Sequence, residues 1–353
     1  MNRKLLTAGV VVAGAAALHR ATHPADARRL PGERGRHGPV PDELFDLPDG
    51  VAAHEIPTND GGTIRYLEKG SGRPLVLLHG VTLRSDVWAP QFHQLAERFR
   101  VIAVDLRGHG GSVAGSGGFG LPRLAEDLAV LLRTLDLRDA VVVGHSMGGM
   151  TVMTFCAEHV DVLDERVAGV AFVATRASHV YPAPVAGPLR RLVGRGIEIV
   201  DGGGSLPGGD RPMDRRVVRL AFGDAPNPRA VDAVAEMGSS MAPAAMLASV
   251  DQMFDHDTRD ALRATRTPSL VVVGTRDLLT PVPSARALAR LLPDCDFVLL
   301  PRCGHQIMQE RPDELAELLT GFAARAAGRV DTLAEAVAAD DRPVEPGDVE
   351  HHP

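Results

Sequence analysis

The chain has 353 residues, of which 44% are hydrophobic and 24% are charged, and its formal net charge is −7. This composition is ordinary for a folded soluble domain and excludes a fibrous or wholly disordered chain. The negative charge argues against a nucleic-acid partner, because phosphates are bound by clustered lysines and arginines. Three cysteines, Cys156, Cys295 and Cys303, are too few for a disulfide framework or a zinc site, although a Cys295–Cys303 bridge stays open.

The first 27 residues have the pattern of a signal peptide or a membrane anchor. Arg3 and Lys4 precede an apolar run over residues 5–18, which is short for a bilayer span but typical of the apolar part of a secretory signal. The Ala-Asp-Ala sequence at residues 25–27 resembles a cleavage site. An uncleaved anchor and an interfacial helix without a targeting role are the alternatives. We therefore expect an exported or membrane-associated protein, and a cytoplasmic one if the segment has no targeting role.

A linker over residues 28–50 is predicted from its Pro, Gly, Arg and His content, so we expect the folded domain over residues 51–328. Several short runs after it are rich in leucine or β-branched residues. They predict seven strands, at residues 63–68, 74–78, 101–106, 140–143, 167–173, 269–273 and 296–300. The continuously apolar character of residues 75–78, 141–143 and 271–273 suits strands covered on both faces, as in a parallel sheet.

Helices alternate with the predicted strands. Leucines three or four residues apart predict helices over residues 121–135 and 312–322, and the alternation predicts an α/β fold with a doubly wound, mostly parallel sheet of about eight strands. Residues 176–263 are rich in Gly, Pro and Met and contain no convincing strand, so we predict an inserted helical cap there. The excess of acidic residues over 329–353 predicts a disordered tail.

The sharpest chemical pattern is Gly-His-Ser-Met-Gly at residues 144–148, between a predicted strand and a helix-compatible stretch. This pattern predicts a nucleophile elbow, in which small neighbours allow a tight turn that exposes the Ser146 hydroxyl above the sheet. The N–H of Met147 then lies at a helix start, where it can bind a developing oxyanion. Gly80 ends another predicted strand, so the N–H of Val81 is the second candidate donor, whereas His79 is predicted to make a structural hydrogen bond.

Three motifs together resemble the α/β-hydrolase fold superfamily: His-Gly at 79–80, Asp-Leu-Arg-Gly-His-Gly-Gly-Ser at 105–112, and the elbow at 144–148. In that family the acid follows a late strand and the histidine follows the last strand. Asp277 and His305 occupy those positions here. The resemblance therefore implies a catalytic triad in which His305 activates the serine at the elbow and Asp277 orients the imidazole.

Other polar clusters receive structural interpretations. Residues 105–112 lack either phosphate-loop pattern, so we expect Asp105 and Arg107 to brace the loop. The two acids of residues 255–257, Asp-His-Asp, invite a metal interpretation, but they lie between the predicted cap and a strand with no third ligand in view. We therefore predict no metal site there, and we expect no organic cofactor.

The substrate pocket has two candidate residues, Trp88 and Met246. Trp88 is the only tryptophan, and it follows the loop that contains the candidate oxyanion donor Val81. We predict that it either lines the acyl pocket or packs in the core. Met246 belongs to residues 237–254, whose apolar positions are spaced to share one face of a helix, and its thioether suits an adaptable pocket, although such methionines also form cap cores.

These features predict a serine hydrolase of the carboxylesterase type, acting on a small-molecule ester or related acyl compound through an acyl-enzyme. The family resemblance also covers cofactor-free haloperoxidases (perhydrolases), lactonases and carbon–carbon bond hydrolases, which share the triad. Epoxide hydrolases and haloalkane dehalogenases carry aspartate at the elbow, where this chain has Ser146. The alternative from a different class is a ligand-sensing module that keeps a hydrolase pocket.

Overall fold

An eight-stranded sheet forms the centre of the structure, a computed structural model that describes residues 39–178, 183–202 and 213–340. The strands are β1 (Ala52–Pro57), β2 (Thr63–Lys69), β3 (Arg73–Leu78), β4 (Phe99–Val104), β5 (Ala140–His145), β6 (Val167–Val173), β7 (Ser269–Gly274) and β8 (Cys295–Leu300). Their order is β1-β2-β4-β3-β5-β6-β7-β8, with β2 antiparallel to both neighbours and the other pairs parallel. The prediction of an α/β fold with a mostly parallel sheet of about eight strands is confirmed.

All seven strands predicted from the sequence are present, with ends that differ by at most two residues. The eighth, β1, was not predicted because it has no apolar run. It lies at the sheet edge, and of its side chains only Ile56 is buried. An edge strand of this kind shows little alternation of apolar and polar residues, since most of its side chains are exposed to solvent.

Helices cover both faces of the sheet. They are α1 (Ala89–Leu95), α2 (Leu121–Thr134), α3 (Met147–Glu158), α4 (Val160–Arg166), α5 (Ala183–Asp201), α6 (Arg215–Val218), α7 (Pro228–Ser240), α8 (Pro243–Gln252), α9 (Arg259–Ala264), α10 (Val282–Ala289), α11 (Ile307–Glu310) and α12 (Pro312–Asp340). Leu75 and Leu77 of β3 pack in one buried cluster with Phe92 of α1, whereas Val76 packs in a second cluster with Leu128 of α2. Alternate residues of a strand therefore fill both cores, which explains the continuous apolar runs.

Between β6 and β7 the chain leaves the sheet for an insertion, of which residues 183–202 and 213–264 are described. Within these ranges it holds helices α5 to α9 and no strand. Residues 237–254 are divided between α7 and α8, because the backbone is extended at Met241 and Ala242 and a new helix begins at Pro243. Proline is favoured at such a start because its fixed φ suits the first turn and its missing N–H is not needed there. The apolar residues whose spacing predicted a shared face all follow this break: Met246, Val250, Met253 and Phe254.

The predicted linker and tail both differ from the structure. Residues 42–45 form a turn whose Phe45 is only 8% exposed, and the Asn227 amide donates to the carbonyl of Val40 at 2.8 Å, so packing begins before residue 51. Helix α12 continues to Asp340 rather than ending near residue 322. The predicted signal or anchor segment and residues 341–353 lie outside the described residues. None of the described helices combines the length and hydropathy that a bilayer crossing needs.

Candidate active site

Ser146 occupies a strained turn between β5 and α3. Its φ is +53° and its ψ is −117°, a conformation that costs free energy for a residue with a side chain. Two hydrogen bonds hold it: the Ser146 N–H donates to the Val173 carbonyl at 3.0 Å, and the Thr175 hydroxyl donates to the Ser146 carbonyl at 2.7 Å. The neighbouring strand β6 therefore fixes the turn on which the candidate nucleophile lies.

The glycines of the elbow are required by contact with other backbone atoms. A Cβ on Gly144 would overlap the backbone of Gly148, and a Cβ on Gly148 would lie 2.5 Å from the Leu78 carbonyl oxygen. Gly80 lies on the other side of the serine, where a Cβ would be 3.0 Å from the Cβ of Ser146. The strand-to-helix turn predicted for residues 144–148 thus packs directly against the end of β3.

Asp277 and His305 form a buried pair. The His305 Nδ1 lies 2.9 Å from Asp277 Oδ2, and the side chains are 4% and 0% exposed. Asp277 also accepts hydrogen bonds from the N–H groups of Leu279 and Thr280, both at 2.8 Å, and from the Thr280 hydroxyl at 2.6 Å. A carboxylate only accepts, so Nδ1 carries the proton and Nε2 is left as a base.

One cavity brings the candidate residues together. Ser146, His305 and Val81 line it, and Met246 lines it from α8. Its other lining residues are mostly apolar, and many come from the insertion. They are Gly80, Thr82, Leu83, His145, Met150, Met213, Val217, Val218, Ala221, Val234, Val250, Met253, Leu279, Thr280 and Gln306. The cavity therefore combines a hydroxyl and an imidazole with a wall suited to an apolar group.

The backbone N–H groups of Val81 and Met147 flank the serine. Val81 follows Gly80 in a turn closed by the N–H of Leu83 on the Gly80 carbonyl at 3.2 Å. Met147 is the first residue of α3, where N–H groups have no partner within the helix and the helix dipole is positive. Neither N–H donates a hydrogen bond to any residue that the structure describes.

Trp88 does not line the cavity. Its side chain is fully buried in the cluster that contains Leu77 and Phe92, on the face of the sheet covered by α1. The interpretation of Trp88 as a pocket wall is therefore wrong, and the core-packing alternative is correct. Two methionines of residues 237–254, Met246 and Met253, do line the cavity.

Two further histidines near the site are structural. The Nδ1 of His79 donates to the Gly80 carbonyl at 2.7 Å and its Nε2 accepts from the N–H of Leu106 at 3.1 Å, which confirms its predicted structural role. The Nε2 of His145 donates to the His305 carbonyl at 3.0 Å. Burial lowers the pKa of both imidazoles, so both are neutral at physiological pH.

The loop at residues 105–112 is braced as predicted. The Asp105 carboxylate accepts hydrogen bonds from the N–H groups of Ser85 at 2.6 Å and Gly111 at 2.9 Å. The buried Arg107 donates to both oxygens of Asp127 at 2.7 Å and to Asp60 at 2.8 Å. These bonds fix a loop that contacts His79 at the end of β3, and they give the loop a structural role.

The acidic cluster at residues 255–257 is held by arginines. Asp255 pairs with both terminal nitrogens of Arg190, at 2.6 and 2.7 Å, and Asp257 pairs with Arg259 at 2.6 Å. Across residues 39–178, 183–202 and 213–340 no group of three His, Cys, Asp or Glu side chains is arranged to hold a metal.

The cysteines are free thiols. Cys156 and Cys303 are buried and Cys295 is partly buried. The Cys295–Cys303 bridge that the sequence left open is absent from the described structure.

Two polar residues at the site were not found from the sequence. Thr280 contacts Asp277, and Glu310 accepts hydrogen bonds from the N–H groups of Gly304 at 2.9 Å and Gly223 at 2.7 Å. Thr280 follows the candidate acid by three residues, so its closeness in the sequence was a usable indication. No feature of the sequence indicated that Glu310 contacts Gly223, because the two residues are 87 positions apart.

Comparison with known proteins agrees with this architecture. Residues 75–318 match the sequence profile of the alpha/beta hydrolase family. The 2-(acetamidomethylene)succinate hydrolase of Mesorhizobium japonicum is 30% identical over 264 residues, which cover 74% of this chain and 91% of that protein. A non-heme haloperoxidase of Rhodococcus erythropolis is 44% identical over 105 residues, which cover 30% of this chain and 38% of that protein. A thermophilic esterase from Thermogutta terrifontis, solved with malate bound, has a TM-score of 0.67 and 28% identity, covering 78% of this chain and 99% of the esterase chain.

Proposed function

Because the chain belongs to the alpha/beta hydrolase family, we propose that it is a serine hydrolase that cleaves carboxylic esters of small molecules through Ser146, His305 and Asp277. The observation that carries the proposal is the 2.9 Å contact between His305 and Asp277, beside a cavity that the strained serine also lines. A serine hydroxyl is a poor nucleophile without a base, and the imidazole supplies one through its unprotonated Nε2.

The reaction proceeds in two acyl transfers. The Ser146 oxygen attacks the ester carbonyl while its proton passes to Nε2 of His305. The N–H groups of Val81 and Met147 bind the oxyanion of the tetrahedral intermediate. When this intermediate collapses, the leaving alkoxide takes the proton from Nε2 and departs as the alcohol. Water then attacks the acyl-serine by the same route, which releases the carboxylic acid and restores the hydroxyl.

Asp277 keeps the imidazole in the productive orientation. Its bond to Nδ1 fixes the tautomer and stabilises the imidazolium that forms in each step, without the carboxyl itself taking a proton. The three donors from Leu279 and Thr280 hold the carboxylate charge in place. The acid therefore needs no reorganisation during the reaction.

The cavity wall favours an apolar acyl group. Met150, Met213, Met246 and Met253 contribute four thioethers, which adapt to irregular shapes, and Val217 is among the aliphatic residues around them. We expect kcat/KM to rise from acetyl to a medium-length acyl ester, since each buried methylene contributes about 0.8 kcal/mol.

Perhydrolysis is the second candidate, because a haloperoxidase is 44% identical over 105 residues. In that reaction hydrogen peroxide replaces water in the second step, and the product is a peroxy acid. A ligand-sensing module is the alternative outside the enzymes. It would acylate once per chain without turnover.

The test combines active-site labelling with steady-state kinetics. A fluorophosphonate should label the wild-type chain, and p-nitrophenyl esters of increasing acyl length should turn over. Ser146→Ala should abolish labelling and lower kcat by several orders of magnitude, since loss of the nucleophile costs on the order of a millionfold in the best-studied serine triad. Ser71→Ala, at an exposed serine, is the matched control. Ester hydrolysis by Ser146→Ala at the wild-type rate would contradict the proposal.

We also propose export or membrane attachment, on the basis of the basic and apolar pattern of residues 1–27. Fractionation of cells that express the full chain, followed by N-terminal sequencing of the mature protein, tests it. An intact N-terminus in the cytoplasmic fraction would contradict it.

A further inference from the structure

Two backbone segments meet beside His305. One is the loop at residues 302–305, and the other is the part of the insertion at residues 221–224. The N–H of His305 donates to the Ala221 carbonyl at 2.7 Å, and the N–H of Asp224 donates to the Arg302 carbonyl at 3.3 Å. The loop that carries the candidate base is thus hydrogen-bonded to the insertion as well as to the sheet.

Glu310 joins the same two segments through its carboxylate. Oε1 accepts the N–H of Gly304 at 2.9 Å, and Oε2 accepts the N–H of Gly223 at 2.7 Å. The side chain is buried, and this burial raises its pKa to about 7. With one oxygen on each amide, the Glu310 side chain is a bridge, because neither segment can move without breaking a hydrogen bond from a buried N–H.

The glycines are what allow the two segments to approach. A Cβ on Gly304 would overlap the backbone of Phe222 and Gly223, and a Cβ on Gly223 would overlap the Arg302 carbonyl oxygen. Both positions must therefore be glycine for the two backbone segments to come into contact. The contact depends on small residues in two segments that are about 80 residues apart in the chain.

The insertion side of this bridge is also cavity wall. Val217 and Val218 line the cavity shortly before the segment that Glu310 holds, and Ala221 lines it from the first position of that segment. His305 lines the same cavity from the other side of the bridge. An acyl group in the cavity therefore contacts a wall whose position is tied to that of the base.

We infer that Glu310 is a positioning residue that holds His305 in register with the acyl-binding wall of the insertion. This role rests on the proposed acyl-transfer function. Loss of the bridge lets the wall and the base move independently, and a displacement of about 1 Å at a catalytic group can cost on the order of a hundredfold in rate. The effect falls on the rate per active site rather than on the amount of folded protein.

The test uses three variants of the full chain. Glu310→Gln keeps the side-chain volume but places an amide NH2 against one of the two N–H groups. Glu310→Asp keeps the charge with a shorter reach. Glu317→Gln, at an exposed position on α12, is the matched control. Active sites are counted by fluorophosphonate titration, and kcat is given per titrated site for p-nitrophenyl acetate and a medium-length ester.

We expect Glu310→Gln to lower kcat per site by 10- to 100-fold and to reduce the preference for the longer acyl group, and Glu310→Asp to fall between it and the wild type. Amide hydrogen exchange at Gly223 and Gly304 should accelerate together in Glu310→Gln and stay unchanged in the control. A kcat per site within twofold of the wild type would overturn the inference.

The exchange measurement separates this inference from the proposed function. If the wild-type chain neither labels nor hydrolyses esters, the proposed function fails, and the catalytic role of Glu310 fails with it. The bridge itself is then judged by exchange alone. Unchanged exchange at both glycines in Glu310→Gln would overturn the bridge, whether or not the chain is active.

Discussion

Replacement of Arg107 by methionine tests the brace of the loop at residues 105–112. The Arg107 side chain is 1% exposed, and it lies between the carboxylates of Asp60 and Asp127, which are 4% and 7% exposed. Methionine has a similar length but no hydrogen-bond donor, so Arg107→Met leaves two buried carboxylates without their shared cation. Removing one partner of a buried ion pair typically costs about 3–5 kcal/mol.

The pH dependence of this cost has a definite sign. The hydrogen bond from Arg107 holds the pKa of Asp60 well below its usual range, with a smaller contribution from Thr58. A lowered folded pKa stabilises the fold above the unfolded pKa of 3.8, and this stabilisation is lost as the pH falls through the folded pKa. In Arg107→Met the carboxylates take up protons more easily, so the destabilisation should be largest at neutral pH and smaller near pH 4.

Urea unfolding at several pH values measures both quantities. Arg133→Met is the matched control, because Arg133 pairs with Asp161 at the surface and such pairs contribute about 0–1 kcal/mol. Adding Asp60→Asn and Asp127→Asn to Arg107→Met should recover part of the loss, since the uncompensated charges are then gone. The reasoning is refuted if Arg107→Met destabilises the protein no more than Arg133→Met at pH 7.

Three further predictions concern the site. Thr280→Val removes a 2.6 Å hydrogen bond to Asp277 and should lower kcat for p-nitrophenyl acetate by about tenfold, whereas an unchanged kcat would show that the hydroxyl is dispensable. Gly148→Val places side-chain atoms against the carbonyl at the end of β3 and should lower the melting temperature much more than Gly321→Val, where a Cβ would meet open space. Burial raises the pKa of Glu310 from 4.5 to about 7, so its stabilising contribution is complete below pH 4.5 and is lost as the pH rises through 7. Between these two pH values the free energy of unfolding of the wild type should fall by up to about 3 kcal/mol. Urea unfolding of Glu310→Gln should lack this fall, and an unchanged pH dependence would contradict the prediction.

The sequence predicted the sheet well because each strand is indicated by the residues of the strand itself. Continuous apolar runs identify strands covered on both faces, as in β5, β6 and β7, and runs rich in leucine or β-branched residues located the other predicted strands. The Ser146 turn was equally local, since glycines and flanking elements stand within a few residues of it. Asp277 and His305 came from the order of elements in a resembling family, and the structure brings these two side chains into contact.

The features that sequence reasoning missed depend on packing between distant segments. The direction of the Trp88 side chain follows from how α1 lies on the sheet, which composition does not reveal. The bridge from Glu310 to Gly223 joins residues 87 positions apart, and neither position has a distinctive local pattern. The helix break before Pro243 was readable from the proline itself, which is favoured at the first position of a helix.

The four methionines of the cavity wall give the protein a chemical vulnerability. Oxidants convert a thioether into a sulfoxide, which is polar and chiral, so hydrogen peroxide would make the apolar cavity wall polar while Ser146 stays intact. A chain that used peroxide as its regular co-substrate would expose this wall to damage at every turnover. For the proposed ester hydrolysis, exposure to oxidants should therefore lower the turnover of long-chain esters before that of short ones.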